Sequence, residues 1–407
     1  MVDSRRILTI NSGSSSIKFS LYQMGKIETL VLSGSIGGIG FGSGIFHIKD
    51  ADGTTVLERR LKPQNHGAAL KELIGWLKSS PTVNDLEAVG HRLVHGGNRF
   101  RRPHLLTPDL VTALDELIPL APDHLPHEIN AIKVFKDSYP GVKQVACFDT
   151  AFHRNMPRVA QIYALPGDLR RQGVLRYGFH GLSYEYILGE LRKEAGVEAF
   201  EGRVVVAHLG NGASMAAVRG GKSMDTTMGF SPAGGLVMST RSGDLDPGVI
   251  LYLFKEKRLD VPAVNRMVNK EGGLLGVSGI SPDMKDLLDG EAKNRHAAAA
   301  VELFCHQARK FLGALAAVLG GLDTLIFTGG IGENAPPIRW RICQGMEFFG
   351  LSLDPGRNDV NAPIISHSDS PVTVRVMKTN EELMIARHTY SLICKESQKM
   401  KKRKGGS

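Results

Sequence analysis

The sequence predicts an α/β protein made of two related domains. Three observations carry this. An apolar run breaking on a small polar knot occurs twice, as ILTINSGSSSIKFSL over residues 7–21 and as VVVAHLGNGASMAAV over residues 204–218. A shift of 197 residues lays Gly13 on Gly210, Ser14 on Asn211 and Leu21 on Val218, about half of the 407-residue chain. Elsewhere strand-like and helix-like segments alternate with no long linker, and the length suffices for two cores.

Each element has a local reason. Both repeats read as strand–turn–strand hairpins, with an alternating apolar exit after the knot. KQVACFDT is a buried strand ending at Asp149. In residues 299–319, Val301, Phe304, Cys305, Ala308, Phe311, Leu312, Leu315 and Leu319 follow the helical period. Gly320-Gly321 stops that helix, and DTLIF enters a strand that runs into TGGIGENAPP. Pro336-Pro337 opens the next helix. TNEELMIARHTYSLI is a further helix capped by Thr379 or Asn380.

Apolar residues make up 42% and charged residues 22% of the chain, a soluble globular profile. MVDSRRILTI turns polar at once, so no secretory leader is expected, and no apolar run is long enough for a membrane span. Cys147, Cys305, Cys343 and Cys394 form no CxxC pair, which predicts reduced thiols in a cytoplasmic protein. The net charge is +9, of which KESQKMKKRKGGS at 395–407 carries +5. That segment reads as a basic, flexible tail rather than a nucleic-acid arm. The mildly basic body suits an anionic substrate.

Three small-residue turns, Asn11–Ser16, Gly210–Ser214 and Gly329–Asn334, offer backbone N–H groups to an anion such as phosphate. GGKS at 220–223 is no Walker loop, since Ala216 stands where its first glycine is needed, and GGIGENA places Ala335 at the last glycine of GxGxxG. Three cationic segments remain. GHRLVHGG carries Arg92 between His91 and His95, RYGFHG carries His180, and STRSGDLDPG carries Arg241. An arginine among small residues suits bidentate binding of carboxylate or phosphate. The alternative for Arg241 is a structural ion pair with Asp244 or Asp246, and for the three histidines a core role. The acidic candidates are Asp149, at a strand's carboxyl end, and Glu381, which could instead serve its helix N-terminus.

In order, NSGSSSIK, GHRLVHGG, FDTAFH, RYGFHG, HLGNG, TRSGDLDPG, FTGGIGEN and TNEEL are similar to the segments of acetate kinases, over roughly residues 5–392. The resemblance implies two related actin-like (ribonuclease H-like, βββαβαβα) domains with the active site in the cleft between them. The first would hold 1–150 plus a C-terminal helix at about 383–394. The second, 151–382, would bind nucleotide and form a homodimer. The activity implied is Mg-dependent transfer of the ATP γ-phosphoryl group to acetate, with propionate or another short-chain acid as the alternative, and with neither nucleic acid nor membrane as partner.

The resemblance also implies roles. Asn11 and Glu381 would hold Mg2+, with Mn2+ as substitute. Ser14, Ser16, Lys18, His208, Leu209, Gly210, Asn211 and Gly212 would meet the phosphates of ATP or ADP. Asp283, Met284 and Lys285, with Gly329, Gly330, Ile331, Gly332 and Glu333, would surround the nucleoside. Arg92 would grip the carboxylate, with Val94, His124, Phe179 and Pro232 around the acyl group. Asp149, His180 and Arg241 would be catalytic. Two departures bear on selectivity: DHLP at 123–126 where the family commonly reads LHNP, and DMK at 283–285 where it reads DFR. One expectation follows from chemistry alone. A carboxylate nucleophile is already ionised at neutral pH, its pKa being about 4–5. Asp149 is therefore expected to orient a metal or an arginine and not to act as a required base.

Overall fold

The structure, a computed structural model, describes residues 4–13 and 15–404, with 399–404 as backbone alone. It divides into two compact units, Met1–Ala151 with Asn380–Ser407, and Phe152–Thr379.

The first unit holds β1 (Arg5–Ser12), β2 (Ser16–Met24), β3 (Thr29–Gly37), β4 (Gly44–Asp50), β5 (Thr55–Leu61), β6 (Leu86–Leu93), β7 (His104–Leu105) and β8 (Lys143–Phe148). The sheet order is β5-β4-β3-β2-β1-β6-β8-β7. β1, β2 and β3 pair antiparallel, while β6 joins β1 and β8 joins β6 in parallel. Alternation in β1 and β2 sends Leu8, Ile10, Ile17 and Phe19 into the core. They pack with Leu70 and Leu73 of α1 (His66–Ser79) and Phe135 of α2 (Leu125–Ser138). Each such side chain contributes roughly 1.5–3 kcal/mol by burial. Asn65 caps α1 by accepting the Ala68 N–H at 3.0 Å.

The C-terminal helix, Glu381–Lys404, belongs to this unit, and Asn380 caps it by accepting the Leu383 N–H at 2.9 Å. Ile385, Ala386 and Thr389 are buried. Gly90 on β6 permits the approach, because a Cβ there would lie 2.4 Å from Thr389 Oγ1 and 2.6 Å from Ile385 Cγ2. Of the segment 395–407, expected to be a basic, flexible tail, residues 395–404 continue this helix and 405–407 lie outside the described residues. Buried Ile393 anchors it, the Ser397 hydroxyl donates to Ile393 O at 3.0 Å, and Lys143 pairs with Glu396 at 3.2 Å.

The second unit holds β9 (Arg203–Leu209), β10 (Ala213–Arg219), β11 (Lys222–Thr226), β12 (Thr324–Thr328) and β13 (Thr373–Val376), in the order β11-β10-β9-β12-β13. β10 pairs antiparallel with β9 and with β11, and β12 lies parallel to β9 and to β13. This repeats β3-β2-β1-β6-β8 in order and sense, as a duplicated unit requires. Its helices include α3 (Gly181–Glu201), α4 (Pro247–Lys255), α5 (Arg295–Leu319) and α6 (Gly329–Asn334). α5 buries Val301, Phe304, Cys305, Ala308, Leu312, Leu315 and Leu319, and stops at Gly320 in the left-handed region, φ 72°. Gly329–Asn334, read from the sequence as a turn, is a short helix closed by Glu333 Oε1, which accepts the Gly329 N–H at 2.9 Å. Among the described residues no helix is long and apolar enough to cross a membrane.

Candidate active site

Two clusters of charged and polar side chains form at strand ends, one in each unit. In the first unit the parallel strands β1, β6 and β8 end side by side, where open α/β sheets place functional groups. Ile10 pairs with His91, and Leu93 with Phe148. That register brings Asn11, Arg92 and Asp149 to one edge. The Arg92 guanidinium donates to both Asp149 oxygens, Nε to Oδ1 at 3.1 Å and Nη2 to Oδ2 at 2.5 Å. Nη1 donates to Asn11 Oδ1 at 3.1 Å, and Glu381 Oε2 lies 3.7 Å from Nε. Lys18, exposed, stands opposite Asn11 across the hairpin.

Burial pulls the Arg92 pKa down, but Asp149 and Glu381 outweigh it and raise it, so the guanidinium stays charged. Burial raises the Glu381 carboxyl, against the pull of Arg92 and Lys18. Val94 is buried beside this group. Its N–H donates to both oxygens of Glu128, at 3.3 and 3.1 Å. His124 occupies the N-cap of α2, and Asp123 is half-buried before it. Ser16 opens β2, while Ser14 lies outside the described residues.

His91 and His95 take the core role. His91 bonds Gln144 at 2.7 Å and burial lowers it to about 4, so it stays neutral; His95 Nδ1 accepts the Gly97 N–H at 2.9 Å.

In the second unit, His208 on β9 stands at the repeat position of Asn11, Leu209 ends that strand, and Gly210-Asn211-Gly212 forms the turn into β10. His180 precedes α3 with φ 58°, left-handed and strained for a non-glycine residue, which is a mark of functional positions. Its ring stacks on His208 at 4.3 Å. Nδ1 bonds Ser214 Oγ at 2.9 Å, and Ser214 meets the Tyr184 hydroxyl at 2.5 Å. A Cβ on Gly212 would crowd His180 Nε2 at 3.2 Å and stand in ordinary contact with Arg241 Nη2 at 3.6 Å, so both groups border the turn.

Arg241 Nη1 donates to Pro232 O at 2.8 Å. Asp244 accepts the Gly235 N–H and Asp246 the Gly248 N–H, each at 2.6 Å, so both aspartates cap backbone groups. Gly330 N lies 3.7 Å from a Cβ placed on Gly210, so α6 begins beside the same turn. Glu333, besides closing α6, accepts the Thr379 N–H at 3.1 Å, which ties it to the backbone beyond β13. Ile331 and Gly332 lie within α6. Asp283, Met284 and Lys285 open a separate helix: Asp283 accepts the Lys285 N–H at 2.7 Å, Met284 is buried, and exposed Lys285 pairs with Asp289 at 2.5 Å.

Sequence reasoning passed over two residues. His153, within FDTAFH, is lowered to about 4 by burial and is neutral. Its Nε2 donates to Phe179 O at 3.0 Å and its Nδ1 accepts from Ser223 at 2.8 Å, fixing the backbone before His180. Glu128 sits among apolar positions of α2, a carboxyl at core spacing that the sequence does display. Burial pushes its carboxyl from 4.5 up to about 8. A raised carboxyl contributes stability that is full below 4.5 and lost as pH rises through 8. Glu128→Gln is therefore expected to lessen the fall in thermal stability between pH 5 and pH 8, measured by melting across that range.

The chain is similar to known proteins over nearly its whole length. The Acetokinase family profile matches residues 6–387. An acetate kinase of Rhodopseudomonas palustris is 47% identical over 395 residues, covering 95% of this chain and 98% of the relative. The crystal structure of Porphyromonas gingivalis acetate kinase superposes with TM-score 0.86 at 36% identity, covering 96% of this chain and all of that one (100%). A propionate kinase from Francisella tularensis superposes with TM-score 0.88 at 35% identity, covering 95% and 99%. The chain belongs to the acetokinase family, and its fold is of the actin-like α/β class.

Proposed function

We propose that this chain catalyses reversible transfer of the γ-phosphoryl group of ATP to acetate, giving acetyl phosphate and ADP by in-line displacement. The observation that carries the reading is Arg92, a charged guanidinium locked by Asp149 at a strand end beside buried, apolar Val94. A fixed cation next to a small apolar wall suits a short carboxylate. Within the second unit Phe179 is buried and Pro232 is half-buried.

The nucleophile arrives ionised, so the obstacle is repulsion between two anions rather than removal of a proton. Preorganised positive charge therefore does the catalytic work. In the second unit His180, Arg241 and the Gly210–Gly212 turn would stabilise the phosphoryl group, with α6 and Asp283–Lys285 toward the nucleoside; in the first unit Lys18 would serve the triphosphate. Asp149 acts by holding Arg92. Magnesium takes one or two carboxylates with neutral oxygens and water. Asn11 Oδ1 and the Glu381 carboxyl, gathered on one guanidinium, are donors of that kind and would hold it. When bound, it neutralises phosphate charge.

The test is hydroxylamine trapping of acyl phosphate with ATP and acetate, propionate or butyrate in turn. Acetate is expected to give the highest kcat/KM, and ATP loss without acyl product would remove the reading. Asp123, where the family commonly has an apolar residue, makes propionate the second reading, and the same assay decides it.

The protein is expected to be a homodimer formed through the second unit. α4 (PGVILYLFK) has no buried residue, and Leu251 and Tyr252 are 54% and 50% exposed. Such an apolar helix needs a cover. Size-exclusion chromatography with light scattering should give twice the 44.1 kDa chain mass. Leu251→Glu should shift it to the single-chain mass.

A further inference from the structure

We propose that Glu128 is a positioning residue for the carboxylate site, holding the Arg92–Leu93–Val94 segment in the place where a short acid binds. The proposal rests on the reading that Arg92 and Val94 receive that acid.

Glu128 lies in the first turn of α2, whose other buried positions are Leu125, Ile129, Ala131, Ile132 and Phe135. It is 2% exposed. A carboxyl on such a face is costly unless it makes hydrogen bonds that nothing else would make. It makes one of that kind. Val94 lies one residue past the end of β6, where the sheet ladder no longer supplies a backbone acceptor. Its N–H donates instead to Glu128, through both oxygens. On the preceding residue, Leu93 O accepts the Asp149 N–H at 2.9 Å. The peptide group joining Leu93 to Val94 is thus pinned at both polar atoms, by Asp149 and by Glu128, directly after the residue whose guanidinium would meet the substrate.

Charge supports the same role. Arg92 already faces Asp149 and Glu381. A third full carboxylate would oppose an incoming anion. Burial, with Asp149 adding, pushes Glu128 up against the pull of Arg92 and the Val94 N–H, which favours the neutral acid. The neutral acid still accepts from Val94 and leaves the positive charge of Arg92 for the substrate.

The experiment compares Glu128→Leu, which keeps bulk but removes the acceptor, with Glu128→Gln, which keeps an acceptor without charge. Glu128→Leu should raise KM for acetate about tenfold or more and narrow the preference among acetate, propionate and butyrate, with KM for ATP within about twofold of wild type. Glu128→Gln should recover most of the acetate affinity. If Glu128→Leu does not fold, Glu128→Asp, whose shorter side chain falls short of the Val94 N–H, gives the same readout. Acetate KM unchanged in these variants, or acetate and ATP KM rising together with no recovery in Gln, overturns the proposal. Wild-type protein that makes no acyl phosphate from any short acid removes the underlying reading instead.

Discussion

Arg241→Ala should lower kcat by about 10²–10³, a loss of about 3–4 kcal/mol of transition-state stabilisation, with little change in melting temperature. The asymmetry follows from how the side chain is held. Nη1 donates to Pro232 O and meets Met238 Sδ at 3.4 Å, contacts that orient the fork. Nη2 reaches the open side of Gly212, close to His180 Nε2. Asp244 and Asp246 cap backbone N–H groups and keep those bonds in the variant. What disappears is positive charge beside the glycine turn proposed to receive the phosphoryl group. Arg241→Lys should recover only part of the rate, because an ammonium restores charge but not the two-pronged geometry. Steady-state kinetics with ADP release as readout checks both. A fall in kcat under tenfold for Arg241→Ala would show that the guanidinium is not aimed at the transferred group.

What the sequence displayed and what it hid divide along a physical line. The hairpins at Asn11 and Gly210, β8 stopping before Asp149, α5 ending at Gly320 and the Asn380 cap rest on patterns a few residues long. Alternation, helical period and capping chemistry suffice for them. The duplicated strand order was foreshadowed by the repeat at 7–21 and 204–218. The contacts of Arg92 were not readable in this way. Asn11, Arg92, Asp149 and Glu381 are far apart in the chain, and only the parallel order β1-β6-β8 with the C-terminal helix on the same unit gathers them. Nor was the helix beyond residue 394 readable, since composition alone favoured a solvated tail, whereas the Lys143–Glu396 pair and buried Ile393 hold it. Glu128 differs again: its position on an apolar helix face was visible, but its purpose required the Val94 N–H.

Arg92→Ala is expected to be the most damaging single change in the first unit. The guanidinium faces three carboxyl groups, Asp149, Glu381 and Glu128, and removing it leaves buried acids without their cation. Breaking such an arrangement from one side costs about 3–5 kcal/mol. The cost depends on pH with a definite sign. Burial raises Glu128 and Glu381, and Arg92 opposes both, so its loss raises them further. Groups whose folded pKa is raised give stability that is full below their ordinary value and lost as pH rises through the folded one. The deficit of Arg92→Ala relative to wild type should therefore be smallest near pH 5 and widen toward pH 8, as read from denaturant midpoints. A deficit that narrows over that range would show that Arg92 does not neutralise these acids. Asp149→Asn separates positioning from acid–base chemistry. The amide still accepts one guanidinium hydrogen bond but loses the paired charge, so carboxylate affinity and kcat should both fall. Because the substrate is ionised on arrival, the variant should keep the acidic limb of the wild-type pH–rate profile. Loss of that limb in Asp149→Asn would make Asp149 a base and overturn the assignment of its role to Arg92.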